Sequence, residues 1–281
     1  MIDLHVHTRT SDGSLSAREV IGLAKENGIT HMAITDHDTT KGLKDALDLG
    51  TEIGVKIIPG IEISAYDFTR KKKVHILGLN IEPEHPALTT LCTSLVQNRN
   101  QASFDTVKSL IAVGYDLSWE DVQKYAEGGT GVYKQHIMHA LLDQGYCESI
   151  YCDLYKALFT QISLEYVDAG TAIQAVKEAG GIAVLAHPGL MNNFEGIDEW
   201  VDLGLRGIEV FHPSHNKDAI ELSLKHARKH NLITTGGSDF HGFYGEIPVE
   251  LGCRELGEEC IRELNIIKEQ KECCFCKRCT S

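Results

Sequence analysis

Short apolar runs alternate with helix signals along most of the chain, and nearly every run ends in a histidine or a carboxylate. That double pattern restricts the fold more than any bulk property does. Alternating β and α elements build a mostly parallel sheet, and in closed β/α architectures the loops after the strands converge on one face. Ile2 to Val6 is the first run, and Ser16-Ala17-Arg18-Glu19 is a capping box before the apolar face of Val20, Ile21, Leu23 and Ala24, with Gly28 as the stop. Met32 to Thr35 is strand-like, Lys41 to Leu49 suits a helix, Val55 to Ile58 and Ile61 to Ile63 flank Pro59-Gly60, and Val74 to Ile81 is a further strand. From 84 to 166 the pattern changes, with Leu88, Leu91 and Leu95, then Trp119 to Tyr125 and His136 to Leu142, all spaced for helices. Alternation resumes with a helix over Ala172 to Ala179, strands at Ile182 to Ala186, Gly207 to Phe211 and Leu232 to Thr235, and helical stretches near Glu199 and over Glu221 to His230. The reading is an α/β barrel formed by residues 1–83 and 167–281, interrupted by a helical insertion at 84–166. The charge run Arg70 to Lys73 reads as a solvated hairpin edge.

At 281 residues the chain can bury a core without disulfides. No apolar run approaches the ~18 residues that span a bilayer, and the first residues lack the pattern of an export signal, so the expected compartment is the cytoplasm. The 27 basic and 40 acidic residues leave a net charge of -13, which argues against a broad basic surface for polymeric nucleic acid. Nine cysteines read as reduced thiols; Cys273, Cys274, Cys276 and Cys279 crowd the last nine positions in a spacing compatible with a thiolate metal site or a reactive tail.

The chemistry is written at the strand ends. His5 and His7 are two apart, so a strand presents both on one face, where they can grip one ion. Asp12 follows in a glycine-containing loop, strand two ends in Asp36-His37-Asp38, the next runs into Glu62, and then come His75, His187-Pro188 and Ser238-Asp239-Phe240-His241. Any one of these pieces is weak evidence. Six strand ends supplying His5, His7, Asp12, His37, Glu62, His75, His187, Asp239 and His241 are hard to attribute to core packing, because buried histidines and carboxylates are costly unless paired or ligated. Nine nitrogen and oxygen donors exceed the needs of one ion and imply two or three divalent ions, with Mn, Fe or Zn fitting a donor set free of thiolate. Closely spaced ions of that kind suit phosphoryl chemistry.

These segments, together with Ser11-Asp12-Gly13, Pro59-Gly60-Ile61-Glu62, Val74-His75-Ile76-Leu77-Gly78 and Leu185-Ala186-His187-Pro188-Gly189, resemble the motifs of the PHP (polymerase and histidinol phosphatase) superfamily. The similarity is to its stand-alone phosphoesterases of the nucleoside 3′,5′-bisphosphate phosphatase and RNase AM type. It implies a distorted (β/α)7 barrel with a helical insertion that caps the substrate, and a trinuclear centre. By that resemblance His5, His7, Glu62 and Asp239 hold one ion, Asp12, His37 and His241 a second, and Glu62, His75 and His187 a third, with Glu62 bridging. Arg99, Lys134 and His136 fall where the family binds phosphate, although Lys134 replaces an arginine and so loses the bidentate fork. His212-Pro213-Ser214-His215 matches a segment near the phosphate, and Asp38, His212 and His215 are the candidates to protonate the leaving oxygen. Leu190-Met191-Asn192-Asn193 stands where an aromatic residue is common.

The expected function is a metal-dependent phosphatase that releases the 3′-phosphate of a small nucleotide such as a nucleoside 3′,5′-bisphosphate, by attack of a metal-bridged hydroxide. Its partner is a small phosphorylated substrate or short RNA, with no membrane and no obligate protein. The alternatives are a 5′-to-3′ exoribonuclease on short RNA, a histidinol-phosphate phosphatase, and a non-catalytic, metal-stabilised binding module.

Overall fold

The computed structural model describes residues 1–159, 165–253 and 256–266, so the cysteine cluster at 273–279 lies outside the described residues. Strand β1 (Ile2–Val6) leads to α1 (Ala17–Glu26), β2 (His31–Ile34) and α2 (Leu43–Ile53). The capping box forms as expected: Ser16 N donates to Glu19 Oε2 at 2.7 Å, and Glu19 N donates back to Ser16 Oγ at 3.4 Å. Next come β3 (Lys56–Asp67) and β4 (Lys72–Leu79), then the helices α3 (Pro86–Ala112), α4 (Trp119–Gln123), α5 (Lys134–Asp143) and α6 (Asp153–Phe159). The chain returns through β5 (Val167–Asp168), α7 (Ala169–Glu178), β6 (Ile182–Leu185), α8 (Pro188–Met191), α9 (Ile197–Leu203), β7 (Gly207–Phe211), α10 (Lys217–His230) and β8 (Ile233–Gly236). Among the described residues no helix is long and apolar enough to cross a membrane.

Seven strands lie in the order β1-β2-β3-β4-β6-β7-β8, with β5 added alongside β3. The two ends of that sheet nearly meet. His7 N donates to Phe240 O at 3.0 Å and Asp239 N to His5 O at 2.9 Å, joining β1 to the segment after β8 and all but closing a barrel. The α/β barrel is therefore as expected, but the sheet is less parallel than simple alternation suggests. β4 runs antiparallel to both β3 and β6, because a hairpin and not a helix joins β3 to β4. Pro59-Gly60 does not break a strand either. β3 is continuous there and changes partner: residues 56–59 pair with β2, and residues 60–67 pair with β4. Gly60 is required at the changeover, since a Cβ would stand 2.9 Å from Ile34 O.

Two strands carry an extra residue that matters for the site. In β1 the step from Asp3 to Val6 faces the shorter step from Met32 to Ile34 in β2, a bulge that lets the inward face change parity. Below it Ile2 and Leu4 join Ala33, Ile58, Leu77, Leu79 and Val184 in the apolar floor of the barrel. Above it His5 and His7 take the inward positions, while Val6 joins the outer core between strands and helices. β7 has a similar irregularity between Glu209 and Phe211. Helix α3 belongs to two cores: Leu88, Cys92 and Leu95 pack on the barrel, whereas Val107 and Leu110 pack with Val122, Ile137, Met138 and Leu141 of the insertion.

Candidate active site

Glu62, 1% exposed, is the hub of the strand-end cluster. Its Oε2 lies 3.2 Å from His5 Nε2, 3.2 Å from His7 Nε2 and 3.3 Å from His37 Nε2, while Oε1 is 2.8 Å from His75 Nδ1 and 2.9 Å from His187 Nε2. Asp239 Oδ1 approaches His5 Nε2 at 3.4 Å and His7 Nε2 at 3.2 Å, and Asp12 Oδ1 lies 3.4 Å from His241 Nε2 and 3.6 Å from His7 Nδ1. Three groups can each surround an ion, with donor atoms all within 4.8 Å of one another: His5, His7, Glu62 and Asp239; His7, Asp12, His37 and His241; and His37, Glu62 and His75. The structure thus brings all nine anticipated residues together. It adds His7 to the second set and His37 to the third, and leaves His187 reaching that third set through Glu62 Oε1.

Several imidazole nitrogens of the cluster have no hydrogen-bond partner. His5 Nε2, both nitrogens of His7, His37 Nδ1 and His187 Nδ1 are buried without a hydrogen bond, although carboxylate oxygens stand close by. Orphaned imidazole nitrogens ringed by carboxylates fit divalent ions with nitrogen and oxygen donors. The electrostatics agree. Burial alone would raise Glu62, Asp12 and Asp239, yet the surrounding imidazoles hold all three carboxyls well below their ordinary range. Burial would lower His7, but the nearby carboxylates of Asp239, Glu62 and Asp12 raise it to about 10. His37 goes the other way, to about 4, because burial and the neighbouring His7 and His75 outweigh Glu62 and Asp12. Without ions, protons supply the positive charge that this cavity demands.

Supporting residues hold the cluster in place, and sequence reasoning gave them no role. Glu209 on β7 is wholly buried; its carboxylate accepts from His5 Nδ1 at 3.1 Å and from His187 N at 2.8 Å. Asp36 accepts from Thr8 N, Thr8 Oγ1 and Ser11 Oγ at 2.8, 2.7 and 2.6 Å, which pins the loop that presents Asp12. Asp3 accepts from Ser238 N, Ser238 Oγ and Gly252 N, and burial, opposed by those bonds, pushes it up to about 6. Three residues of the site, Asp38, His187 and Asp239, sit at φ of 54°, 26° and 52°, left-handed backbone that non-glycine residues rarely adopt.

The substrate residues divide. Arg99 Nη2 donates to Asp38 Oδ2 and, at 2.9 Å, to Ser64 Oγ, while Asp38 Oδ1 accepts from Ser64 N at 2.8 Å. Asp38 is fully buried in this pair. The Arg99 guanidinium also lies 4.6 Å over the Tyr133 ring, and Tyr133 Oη donates to His37 O at 3.0 Å. A cavity of about 200 Å³ opens beside the cluster, lined by Asp12, His37 and His75 together with Lys73, Arg99 and Lys134. Lys73 had read as part of a solvated run; Arg70 and Lys72 do bind surface carboxylates, but Lys73 borders the cavity. Burial and the charges of Lys73 and Arg99 lower Lys134 to about 8. His136 is absent from the cavity wall. Its ring is buried inside the insertion, with Nδ1 accepting from Tyr133 N at 3.1 Å at the start of α5. His212 stays at the cluster, with Nε2 3.3 Å from Asp239 Oδ2 and Nδ1 2.7 Å from Ser214 Oγ. Ser214 therefore orients His212. His215 has both nitrogens committed to backbone: Nδ1 donates to Val210 O at 2.8 Å, and Nε2 accepts from Gly189 N at 3.0 Å. That arrangement anchors the turn after β6 and leaves no proton to transfer.

Residues 3–179 match the model of the PHP domain. The chain belongs to the PHP domain family. Over 251 residues it is 42% identical to a phosphoribosyl 1,2-cyclic phosphate 1,2-diphosphodiesterase of Eggerthella lenta, covering 88% of this chain and 96% of that one. It is 32% identical to a 3′,5′-nucleoside bisphosphate phosphatase of Chromobacterium violaceum, covering 85% and 87%. A crystal structure provisionally designated a metal-dependent phosphoesterase, from Bifidobacterium adolescentis, superposes with a TM-score of 0.87 at 29% identity, covering 95% of this chain and 96% of that one. This PHP protein is accordingly a metal-dependent phosphoesterase with the family's nearly closed seven-stranded barrel.

Proposed function

We propose that this enzyme hydrolyses small ribose phosphates that carry a second phosphoryl group, and that a phosphoribosyl cyclic phosphate is its preferred substrate. The observation that carries the reading is the cavity itself, which is lined both by Asp12, His37 and His75 of the histidine-carboxylate cluster and by three cationic side chains, Lys73, Arg99 and Lys134. One sugar carrying two phosphoryl groups can engage both sets at once. A volume of about 200 Å³ is small beside the ~300 Å³ and upward of ordinary ligand sites, which favours a compact sugar phosphate. Met191 lines the cavity in the segment where an aromatic residue would serve a base. The four tyrosine and phenylalanine rings that line the cavity are already engaged: Tyr133 under Arg99, Tyr155 against Tyr151 and Phe159, Phe159 under Lys134, and Tyr166 against Tyr66 and beneath Lys73. The 42% identity to the cyclic phosphate diesterase points the same way.

In this reading His5, His7, Glu62 and Asp239 hold one divalent ion, Asp12, His37 and His241 with His7 a second, and Glu62, His75 and His187 with His37 a third, with Mn, Fe or Zn suiting the donors. Such ions, when bound, activate water and neutralise charge on phosphoryl oxygens. The remaining groups belong to the chain. Arg99, braced by Asp38 and Ser64, and Lys134 hold the second phosphoryl group; Tyr133 fixes the His37 backbone; His212, held by Ser214 and facing Asp239, donates the proton to the departing ribose oxygen. Residues 84–166 cap the substrate over the barrel formed by 1–83 and 167–281.

A 3′,5′-nucleoside bisphosphate is the second reading, favoured by the same pairing of two phosphoryl groups across one ribose and by the Chromobacterium relative. The test is a panel on the Mn-loaded enzyme: phosphoribosyl 1,2-cyclic phosphate, adenosine 3′,5′-bisphosphate, histidinol phosphate and a short 5′-phosphorylated RNA. We expect kcat/KM for the cyclic phosphate to exceed the others at least tenfold. Preference for the bisphosphate installs the second reading, and turnover of RNA or histidinol phosphate alone overturns both.

A further inference from the structure

Away from the barrel mouth, helices α9 and α10 bring three more donor side chains together. We propose that Asp198, His226 and His230 form a separate, peripheral site for one divalent cation of the zinc class. Asp198 lies in the first turn of α9, and His226 and His230 are one turn apart on α10, which puts both imidazoles on the same helical face. Their rings are nearly parallel, 12° apart with centroids 6.2 Å apart. One donor atom from each of the three residues falls within 4.8 Å of the other two.

The chemistry of the donors fits. Two imidazoles and a carboxylate, with solvent on the exposed Asp198 side, match the three-ligand, water-completed coordination of zinc-class ions. His226 Nδ1 is buried and has no hydrogen-bond partner, while the ring stacks on Phe194 with centroids 5.9 Å apart. The last turn of α10 ends at His230, before Asn231 at φ 51°, and a helix carboxyl terminus favours a cation. The carboxylate is not idle. His230 Nε2 lies 2.7 Å from Asp198 Oδ1, and Lys229 Nζ holds Oδ1 and Oδ2 at 2.8 and 2.7 Å. Lys229 is the competitor, a single charge on a long exposed arm that can swing into water when a dication with two imidazole ligands takes its place. Binding then joins α9 to α10 through three ligands in place of the Asp198 contacts with Lys229 and His230.

The experiment compares wild-type protein with His226→Ala, His230→Ala and Asp198→Asn, each stripped with chelator, dialysed against micromolar Co(II) and analysed for bound metal, absorption spectrum and Tm. None of the three positions touches the active site, so turnover of the loaded enzyme should stay within twofold of wild type. We expect each variant to bind one cobalt fewer per chain and to lose part of the Tm gain that cobalt gives wild type. Equal cobalt content in wild type and in every variant that folds overturns the proposal. So does a lost ion with sulfur-to-cobalt charge-transfer absorption, which would belong to a cysteine site.

Discussion

A wholly buried glutamate in the middle of an apolar strand demands a partner, and Glu209 has two, the His5 imidazole and the His187 backbone. By accepting from Nδ1 it fixes the His5 tautomer and leaves Nε2 facing Glu62 and Asp239. Glu209→Gln keeps the size of the side chain but removes its charge and one acceptor. We expect metal affinity to fall about 10- to 100-fold, with the fold retained; competition with a chelator measures this, and an affinity within twofold of wild type would remove Glu209 from the positioning role. The contrast with the cluster residues shows what was legible. His5, His7, His37, Glu62, His75, His187, Asp239 and His241 could be read because strand ends and a period of two mark them. Glu209 and Asp3 sit within apolar runs and act through other side chains, so a charged residue inside a strand was their one signal. His136 and His215 show the converse. Residue type and position suited a site, but backbone groups claim both ring nitrogens of His215 and Nδ1 of His136, whose Nε2 is buried without a partner, and side-chain direction is set by packing that the sequence does not display.

Among the elements, strand placement followed from the apolar runs, whereas strand direction and bulges did not. The β3–β4 hairpin has the same alternation as a parallel crossover, so only the missing helix between Asp67 and Lys72 hinted at antiparallel pairing. The β1 bulge is equally silent, yet it lets one strand supply both an apolar floor and two histidines. Barrel closure depends on a close approach that a glycine permits. A Cβ at Gly237 would stand 2.3 Å from His5 Cβ and 2.5 Å from His5 N, a collision with β1 backbone and not with a flexible side-chain tip. Gly237→Ala should therefore push the segment after β8 off β1, strain the hydrogen bond from Asp239 N to His5 O, and pull Asp239 away from His5 and His7. Overpacking of this kind costs about 1–3 kcal/mol, or roughly 2–12 °C in Tm for a chain of this size. Turnover should fall further than stability accounts for, because a ligand moves with the backbone. Calorimetry alongside kcat measures both, and a variant with wild-type Tm and kcat would show that closure tolerates the extra atom.

At the level of the whole molecule, the net charge of -13 reads first as hostility to phosphate. Part of it lies in the carboxylates of the cluster: three divalent ions would bring -13 to -7 and concentrate the positive field at one barrel mouth. The same cluster makes stability depend on pH with a sign set by its histidines. In metal-free protein His7 is raised from 6.5 to about 10, and His5 and His241 are raised as well, in each case because neighbouring carboxylates overcome burial. A histidine whose pKa rises on folding binds more protons in the native state than in the unfolded state between those two values. Its contribution is therefore fully present below pH 6.5 and is lost as pH climbs toward about 10. Metal-loaded protein responds in the opposite direction, since ions bind neutral imidazole and compete with the protons. Chelated protein should lose Tm steadily from pH 6.5 to 10, loaded protein should hold or gain Tm over the same interval, and the gap between them should widen with pH. Thermal melts of both forms across that range provide the measurement; parallel profiles would mean that protons and metal ions do not share these histidines, and the ligand assignment would fall with them.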